Sequence, residues 1–364
     1  MILRVNRFAI CAFVFTLCVL LVLFGKPSDV SFTKIRSDLS SYHFSRSGVN
    51  NLEDLIIESG GQPIQSIILS TWRSGSSFAG DFLDSIPGTL YYYEPLFHYT
   101  NDQIKDPPKS IEAVNTLKNM LKCNFESESE YFEYREINSD LFRFNTRLWE
   151  ACKKDLNICL NPDFNSQFCK LFPFQSMKIV RMRLSLVQAI FDDKDLNVKV
   201  IFLVRDPRGV MHSRQRRSWW CQPAPECWWP ELLCANMIRD YATVNKLMQK
   251  YPNKLMVIRF EELALNPNFL ARQMLDFLKI DFTSPVDQFL KKHTNDEGPI
   301  GGTIKVSRDV PFKWQTDSDF KFVDDLQLVC KEAMDLWGYN IAHNETHMRQ
   351  FHPVRPYTIT QTTK

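Results

Sequence analysis

The segment from residue 67 to residue 78, Ile-Ile-Leu-Ser-Thr-Trp-Arg-Ser-Gly-Ser-Ser-Phe, constrains the fold more than any other. Its apolar start predicts a buried strand, and the small residues that follow predict a turn. The turn leads into a helix whose apolar side chains recur at helical spacing, at Phe78, Phe82, Leu83 and Ile86. Because the first N–H groups of a helix are unpaired and lie at the positive end of its dipole, this turn is expected to form an anion cradle.

The residue types in the turn suit a phosphate or a sulfate. Gly75 lets the backbone approach an anion closely, and Arg73 supplies a permanent forked cation. Hydroxyl donors are present on Ser74, Ser76 and Ser77. The segment is not a nucleoside triphosphate loop, because the cation precedes the glycine and no Gly-Lys-Ser/Thr follows. A Ser/Gly turn with an incidental arginine is the alternative.

A second basic segment follows another apolar strand. Residues 198–204 predict a fully buried strand, which leads into Arg-Asp-Pro-Arg-Gly-Val-Met-His-Ser-Arg at residues 205–214. This segment can hold a second phosphate of the same ligand. Arg205 is the main candidate because it directly follows the strand, whereas Arg208 and Arg214 are either phosphate ligands or solvated charges on a helix.

The remaining pattern predicts the fold class. Further strands are expected at Thr89–Tyr93, Met177–Val180 and Leu255–Phe260, and helices at 110–122, 184–191, 231–249 and 320–337. Alternation of strands and helices predicts an α/β fold, a P-loop-like parallel sheet with helices on both faces. Two aromatic, cysteine-containing regions have no clear period, 123–173 and 218–230. They are either disulfide-stapled surface structure or a wall of flat aromatic faces on which the rings of a ligand stack.

The termini carry targeting signals. Arg4 and Arg7 precede an uncharged apolar run at residues 8–24, which predicts an uncleaved transmembrane signal anchor with residues 1–7 in the cytosol. A cleaved signal peptide is the alternative. Beyond the anchor we expect a stem at 25–64, a lumenal domain at 65–340 and a poorly ordered tail at 341–364. The tail contains a glycosylation sequon at Asn344.

Charge and cysteine content narrow the class of protein. The formal net charge is +2, so nucleic-acid binding through bulk charge is not expected. Two of the ten cysteines lie in the apolar run, and the other eight, an even number, indicate disulfides in an oxidising lumen. Cys152 with Cys159 and Cys221 with Cys227 can close short loops, although the connectivity is open. A zinc site is the alternative, but no C-x-x-C pair supports it.

At the two anion motifs the chain resembles the Golgi carbohydrate sulfotransferases, and more closely the branch that sulfates the 6-hydroxyl of galactose, N-acetylgalactosamine or N-acetylglucosamine. Further similarities lie at Tyr93–Leu96, Lys178–Arg181, Arg259–Leu263 and Lys313-Trp314. The resemblance covers roughly residues 65–340 and implies a sulfotransferase fold. One departure is Gln315, where the family usually carries arginine after the tryptophan.

The resemblance implies 3′-phosphoadenylyl sulfate as the donor. The turn would bind its 5′-phosphosulfate, so the candidate cofactor-binding residues there are Trp72, Arg73, Ser74, Gly75, Ser76, Ser77 and Phe78. Arg205 and Ser213 would contact the 3′-phosphate. Lys313 and Trp314 are expected to close over the nucleotide, with Trp314 stacking on it, and an ordinary packed tryptophan is the alternative.

Sulfuryl transfer needs positive charge on the leaving phosphate and a base for the proton of the attacking hydroxyl. Arg73 and the amides of the turn can supply the charge, so Arg73 is a catalytic candidate and no metal is required. Glu94 ends the Thr89–Tyr93 strand, and Pro95 is expected to hold it extended. The family's proposed base stands at this position, so Glu94 is our candidate base.

Three other side chains are candidates for contact with the acceptor. His98 is the second choice for the base, although a lone histidine near a strand end is more often structural. Lys178 and Arg181 flank an inner strand and would orient the acceptor or shield sulfate charge. An ion pair at the sheet edge is the alternative for these two cations.

The resemblance also implies a single-pass type II Golgi membrane protein. Its partner would be a glycan on a glycoprotein or proteoglycan, and a homodimer is one option for its assembly. A metal-dependent Golgi glycosyltransferase is one alternative, because residues 193–195 and 317–319 match the D-x-D pattern of a metal clamp. An inactive lumenal glycan-binding protein is the other, although Arg73, Glu94 and Arg205 are retained.

Overall fold

The strands that the structure describes form one parallel sheet. The computed structural model describes residues 49, 51–99, 102–216, 225–296, 298 and 302–359. The strands found there are β1 (Ile64–Ser70), β2 (Thr89–Tyr93), β3 (Phe174–Ile179), β4 (Val198–Val204) and β5 (Leu255–Arg259). Their spatial order is β2-β3-β1-β4-β5, and all neighbours are parallel. The central strands are buried along almost their whole length, so both faces of the sheet are covered, as the sequence predicts.

Helices connect and flank the strands. They are α1 (Ser76–Asp84), α2 (Lys109–Leu121), α3 (Ser129–Ile137), α4 (Thr146–Ala151), α5 (Leu156–Cys159), α6 (Pro162–Cys169), α7 (Val187–Phe191), α8 (Pro207–Gln215), α9 (Pro225–Trp228), α10 (Pro230–Lys250), α11 (Phe260–Leu265), α12 (Pro267–Leu278), α13 (Ser284–Asn295), α14 (Lys313–Asp317), α15 (Phe320–Leu336) and α16 (Glu345–Gln350). Short 3₁₀ helices occur at Leu52–Leu55, Ile57–Ser59, Ser139–Phe144, Leu184–Leu186 and Ser307–Asp309.

The order of the strands determines where a ligand can bind. From β1 the chain first builds β2 and β3 on one side, and then crosses to β4 and β5 on the other. In open α/β sheets, ligands bind outside the carboxyl ends of the strands where the strand order reverses. That point lies between β1 and β4, and each of these two strands ends in one of the two predicted anion motifs.

β3 is longer than its apolar pattern indicates. β3 begins at Phe174, three residues before the predicted start at Met177. Polar Gln175 interrupts the apolar run, but it is buried, and its Oε1 accepts a hydrogen bond from Gln65 Nε2 at 2.9 Å. A buried polar side chain is tolerated when it is paired, which the sequence alone does not reveal.

The region 123–173 consists of short helices tied by disulfides. Cys152 and Cys159 close the short loop that their spacing allows, and Cys123 is bonded to Cys169. Elsewhere a third disulfide joins α10 to α15 through Cys234 and Cys330. Cys227 is also disulfide-bonded, and Cys221 lies outside the described residues.

The prediction of a poorly ordered tail is wrong for residues 341–359. Gln315 Nε2 donates hydrogen bonds to the carbonyls of Met348 and Phe351, at 2.8 and 2.9 Å, and so fastens α16 to α14. Asn344 caps α16 by accepting a hydrogen bond from the His347 amide at 2.9 Å. The predicted anchor, residues 8–24, lies outside the described residues, and among the helices that are described none is long and apolar enough to cross a bilayer.

Candidate active site

The turn after β1 has the backbone conformation of a tight cradle. Arg73 and Gly75 adopt positive φ angles of 69° and 88°, and α1 starts directly afterwards with no side-chain cap from the described residues. A Cβ on Gly75 would lie 2.2 Å from a ring carbon of Phe260, so only glycine fits here. The first amides of α1 therefore keep the free N–H groups with which a helix start binds an anion.

The second motif meets the first through three residues. Arg205 follows β4, and its Nη1 donates a hydrogen bond to the carbonyl oxygen of Arg73 at 2.8 Å. Arg73 Nε in turn donates to Ser213 Oγ on α8 at 3.1 Å. The structure therefore brings Arg73, Arg205 and Ser213 together, although about 140 residues separate the two motifs.

Two buried polar atoms at this junction fit an anionic ligand. Within the described ranges, Ser74 Oγ and Arg205 Nε have no hydrogen-bond partner, and such unpaired donors are rare in protein interiors. Burial lowers the pKa of Arg205 to about 10, so its guanidinium stays charged at neutral pH. The Arg205 guanidinium also lies 4.4 Å from the ring centroid of Phe260, which fixes its position. Each of these donors is suited to an oxygen atom of an anionic ligand.

The other two arginines of the second motif are structural. Arg208 binds the Asp206 carboxylate, with Nη2 to Oδ2 at 2.7 Å, and donates to the Asn340 carbonyl at 2.8 Å. Arg214 Nη2 donates to Thr71 Oγ1 at 2.9 Å and Arg214 Nη1 to the Glu226 carbonyl at 2.9 Å. Both arginines are fully buried, so neither is the solvated helix charge that the sequence left open. Arg208 thus joins the second motif to Asn340, and Arg214 joins it to Thr71 and to α9.

Glu94 lies at the centre of a buried ion cluster. Lys178 Nζ is 2.5 Å from Glu94 Oε1, and Arg181 pairs with Oε2. Burial lowers the pKa of Lys178, with the charge of Arg73 acting in the same direction, and it lowers the pKa of Arg181 to about 10. The two cations stabilise the charged form of the Glu94 carboxylate, which is the form that a general base needs.

The backbone of Glu94 differs from the prediction. The sequence predicts that Pro95 holds Glu94 in an extended conformation. The φ angle of Glu94 is instead 43°, in the left-handed region. Its amide donates to the Lys178 carbonyl at 2.9 Å, and its side chain is held by both cations. These tertiary contacts outweigh the local preference, and a strained backbone of this kind is common at functional sites.

Trp72 joins the cradle to the Glu94 cluster. Its ring centroid lies 5.9 Å from the Arg181 guanidinium and 6.0 Å from that of Arg214, and its carbonyl accepts a hydrogen bond from Arg214 Nη2 at 3.2 Å. The candidate base and the anion cradle therefore occupy the same edge of the sheet.

The remaining predicted residues play smaller parts in this arrangement. The Trp314 ring is buried with the Arg208 guanidinium 4.2 Å from its centroid, so it packs in the core and offers no free face for stacking on a nucleotide, while Lys313 is exposed. Ser76 is buried and Ser77 is half-buried at the start of α1. Phe78 packs against Phe289, with centroids 5.7 Å apart.

His98 is not part of the Glu94 cluster. Its ring lies 4.2 Å from that of Tyr99 and 6.2 Å from that of Tyr131. Burial, with the charge of Arg135 second, lowers its pKa to about 4. The histidine is therefore neutral at neutral pH and packed among aromatic rings, which is a structural position.

Sequence reasoning missed the side chains that support this site. Glu261 accepts a hydrogen bond from the Asp206 amide at 3.0 Å and one from the Tyr339 hydroxyl at 3.1 Å, and burial raises its pKa to about 7. Arg135 and Asn145 hold the last residue of β2, as detailed below. Glu261 falls in a motif that the resemblance includes, whereas Arg135 and Asn145 lie in the region without a period, where no signal marked them.

Neither D-x-D pattern forms a cluster of carboxylates. Lys122 Nζ pairs with Asp193 at 3.1 Å and with Asp195 at 3.0 Å. Asp317 pairs with Arg216 at 2.8 Å, and Asp319 caps α15. Across the described ranges, no group of three or more His, Cys, Asp or Glu residues is arranged to hold a metal ion.

Comparison with known proteins gives a family for this arrangement. A family model described as sulfotransferase domain matches residues 63–338. Carbohydrate sulfotransferase 5 of Mus musculus is 24% identical over 79% of this chain and 84% of its own length. Carbohydrate sulfotransferase 3 of Homo sapiens is 26% identical over 76% of this chain and 67% of its own.

Among solved structures, the similarity is weaker. The sulfotransferase domain of the Synechococcus PCC 7002 olefin synthase is 17% identical and covers 76% of this chain and 95% of its own, with a TM-score of 0.41. The family model, by contrast, spans the whole sheet, the cradle and the second motif, and the chain belongs to the sulfotransferase domain family.

Proposed function

We propose that this protein transfers a sulfuryl group from 3′-phosphoadenylyl sulfate to a sugar hydroxyl, the 6-hydroxyl of galactose, N-acetylglucosamine or N-acetylgalactosamine in a glycan. The junction of Arg73 with Arg205 and Ser213, at the same sheet edge as the Glu94 cluster, carries the proposal. Membership of the sulfotransferase domain family and similarity to carbohydrate sulfotransferases support the reaction and the class of acceptor.

The donor would bind across the two motifs. Its 5′-phosphosulfate would lie at the amides of α1, with Arg73 and the Ser74 hydroxyl. Its 3′-phosphate would be held by Arg205, which directly follows β4, and by Ser213, which lies within α8. When bound, the donor supplies the sulfuryl group and a phosphate leaving group. Arg73 would stabilise the charge that develops on that phosphate.

Glu94 would act as the base. The oxygen of the acceptor hydroxyl forms a bond to sulfur while the bond from sulfur to the leaving phosphate oxygen breaks, and the hydroxyl proton goes to the Glu94 carboxylate. Lys178 and Arg181 hold that carboxylate in position from opposite oxygens. Both cations are buried next to it, so they would also attract the negatively charged sulfuryl group.

The topology is also a proposal. We propose that residues 8–24 anchor the chain as a single-pass type II protein of the Golgi membrane, with the sulfotransferase domain in the lumen. The described disulfides fit an oxidising compartment. Protease protection of the catalytic domain in intact Golgi vesicles would test it, and digestion without detergent would contradict it.

The reaction is tested by incubating the purified protein with sulfur-labelled donor and a panel of glycans. We expect label on glycans that contain galactose, N-acetylglucosamine or N-acetylgalactosamine, at the 6-position by mass spectrometry of the products. Binding of glycans without any transfer would instead indicate an inactive glycan-binding protein.

The 3′-phosphate contacts make a separate prediction. Arg205→Ala should weaken the affinity for 3′-phosphoadenosine 5′-phosphate roughly tenfold to a hundredfold, because a charge-assisted contact is lost. Ser213→Ala should have a smaller effect in the same direction, and the acceptor KM should change little. Titration calorimetry measures the affinity of both variants for 3′-phosphoadenosine 5′-phosphate, and steady-state kinetics measures the acceptor KM. Arg216→Ala is the control, because Arg216 is exposed and pairs with Asp317. Unchanged affinity in both variants would contradict the assignment.

A further inference from the structure

Two stacks of side chains lead outward from the ion cluster at Glu94. In the first, Lys178 Nζ lies 3.9 Å from the centroid of the Tyr93 ring, and Tyr93 stacks on Phe144 with centroids 4.2 Å apart. In the second, the Arg181 guanidinium lies 3.7 Å from the centroid of the Phe97 ring. Each cation that pairs with Glu94 is thus backed by an aromatic ring.

The second stack also ends on a residue of the region without a period. Phe97 stacks on Tyr134, with centroids 5.7 Å apart and an interplanar angle of 28°. Tyr134 lies on α3, and Phe144 ends the 3₁₀ helix that follows it. Both stacks therefore pass from a cation at the candidate base to an aromatic ring on residues 129–144.

The same region positions the backbone next to the candidate base. Arg135 Nη2 donates a hydrogen bond to the Tyr93 carbonyl at 2.8 Å, and the Tyr93 amide donates to Asn145 Oδ1 at 3.1 Å. Both backbone groups of Tyr93, the residue before Glu94, are bound by side chains of this region. Arg135 is almost fully buried and Asn145 likewise, so the region is firmly joined to the site.

The outer end of the first stack is exposed to solvent, and that of the second is half-buried: the Phe144 side chain is 48% exposed, and Tyr134 is half-buried. Ile137, one helical turn after Tyr134 on α3, is 83% exposed. A single exposed apolar residue is ordinary. Here, however, Phe144 and Tyr134 terminate two stacks that both start at the Glu94 cluster, and Ile137 lies one turn from Tyr134 on the same helix, so the three side chains lie near the place where an acceptor hydroxyl would react.

We propose that Tyr134, Ile137 and Phe144 form an acceptor shelf, which binds a sugar unit adjacent to the one that is sulfated. The inference rests on the proposed function. Aromatic rings offer a large apolar surface at low entropic cost, and the C–H face of a hexose is flat and apolar. The rings lie one residue layer away from the cations at Glu94, so the bound unit is a neighbour in the chain and not the reacting sugar. The shelf would therefore select chains over single sugars.

The test compares acceptors of different length. Tetrasaccharides that contain galactose, N-acetylglucosamine or N-acetylgalactosamine are assayed beside methyl glycosides of the same sugars. Phe144→Ala should raise KM for the best tetrasaccharide roughly tenfold, because it removes apolar contact area. Three quantities should stay near wild type: kcat, KM for the methyl glycoside and affinity for 3′-phosphoadenosine 5′-phosphate. The substitution removes only binding of the neighbouring sugar unit, which is equal in the ground state and the transition state.

Matched variants separate binding from support of the site. Phe269→Ala is the control, because Phe269 is 61% exposed on α12, away from the shelf. Phe144→Tyr keeps the ring and should restore the tetrasaccharide KM. An unchanged tetrasaccharide KM in Phe144→Ala would overturn the inference. Equal losses with both acceptors and in kcat would also overturn it, because Phe144 would then only support Tyr93.

Failure of the proposed function gives a different result. If the wild-type protein transfers no sulfate to any acceptor, the proposed function is wrong. Binding of the tetrasaccharides, measured by saturation-transfer NMR, then tests the shelf without turnover. Signal that disappears in Phe144→Ala but not in Phe269→Ala supports the shelf, and signal unchanged in both contradicts it.

Discussion

Glu94→Gln is expected to lower kcat by about 10²–10⁴, because glutamine keeps the size of the side chain but cannot take the proton of the acceptor hydroxyl. Affinity for 3′-phosphoadenosine 5′-phosphate should survive, since the donor would bind at the cradle and the second motif, where Arg73 donates to Ser213 and Arg205 donates to the Arg73 carbonyl. Single-turnover kinetics and calorimetry measure the two effects. The kcat of Glu94→Asp should lie between those of the wild type and Glu94→Gln, because its carboxylate is retracted by one methylene.

The ion cluster requires a stability control for this prediction. Removing one partner of a buried pair leaves uncompensated charge and costs about 3–5 kcal/mol of unfolding free energy. Thermal unfolding should therefore be recorded for Glu94→Gln and for the double variant Glu94→Gln/Lys178→Met, which removes one of the two cations. A folded Glu94→Gln protein that turns over within a few-fold of wild type would make Glu94 a structural carboxylate. His98, neutral and packed, would then be the next residue to test.

Arg73→Ala should reduce kcat/KM at least tenfold, with folding retained. The lost guanidinium contact would act mainly on the leaving phosphate and is worth roughly 1.5–3 kcal/mol, more in a dry site. Arg73→Lys keeps the charge but loses the guanidinium that reaches Ser213, so its kcat/KM should lie between those of the wild type and Arg73→Ala. Steady-state kinetics measures the effect. Near-wild-type transfer by Arg73→Ala would remove this residue from the proposed mechanism.

Much of the sheet could be predicted from the sequence. β2 and β4 have the predicted bounds, because each is a short apolar or aromatic run with turn residues on both sides. The predicted bounds of α10 and α15 differ from the observed bounds by one residue at most, because both helices have a sustained helical period. Local patterning decides such elements, and tertiary contacts only adjust their ends.

The sequence pattern does not show which arginine of the second motif is available to a ligand. Arg205, Arg208 and Arg214 look alike in the sequence, and all three are buried. Arg208 donates to the Asn340 carbonyl and Arg214 to Thr71 Oγ1, whereas Arg205 keeps a buried Nε without a hydrogen-bond partner in the described part of the chain. Partners from distant segments therefore determine which arginine can bind a ligand.

The sequence alone determined the α/β fold class and the two basic motifs that follow β1 and β4, because strand periodicity and turn residues are local properties. Only the tertiary structure decided that Arg73 meets Ser213, that Glu94 is paired with both Lys178 and Arg181, and that Trp314 is a core residue. The parallel register places Tyr93 opposite Lys178, which brings β2 and β3 side chains together across more than 80 residues. Such contacts depend on burial and on long-range pairing, and neither leaves a period in the sequence.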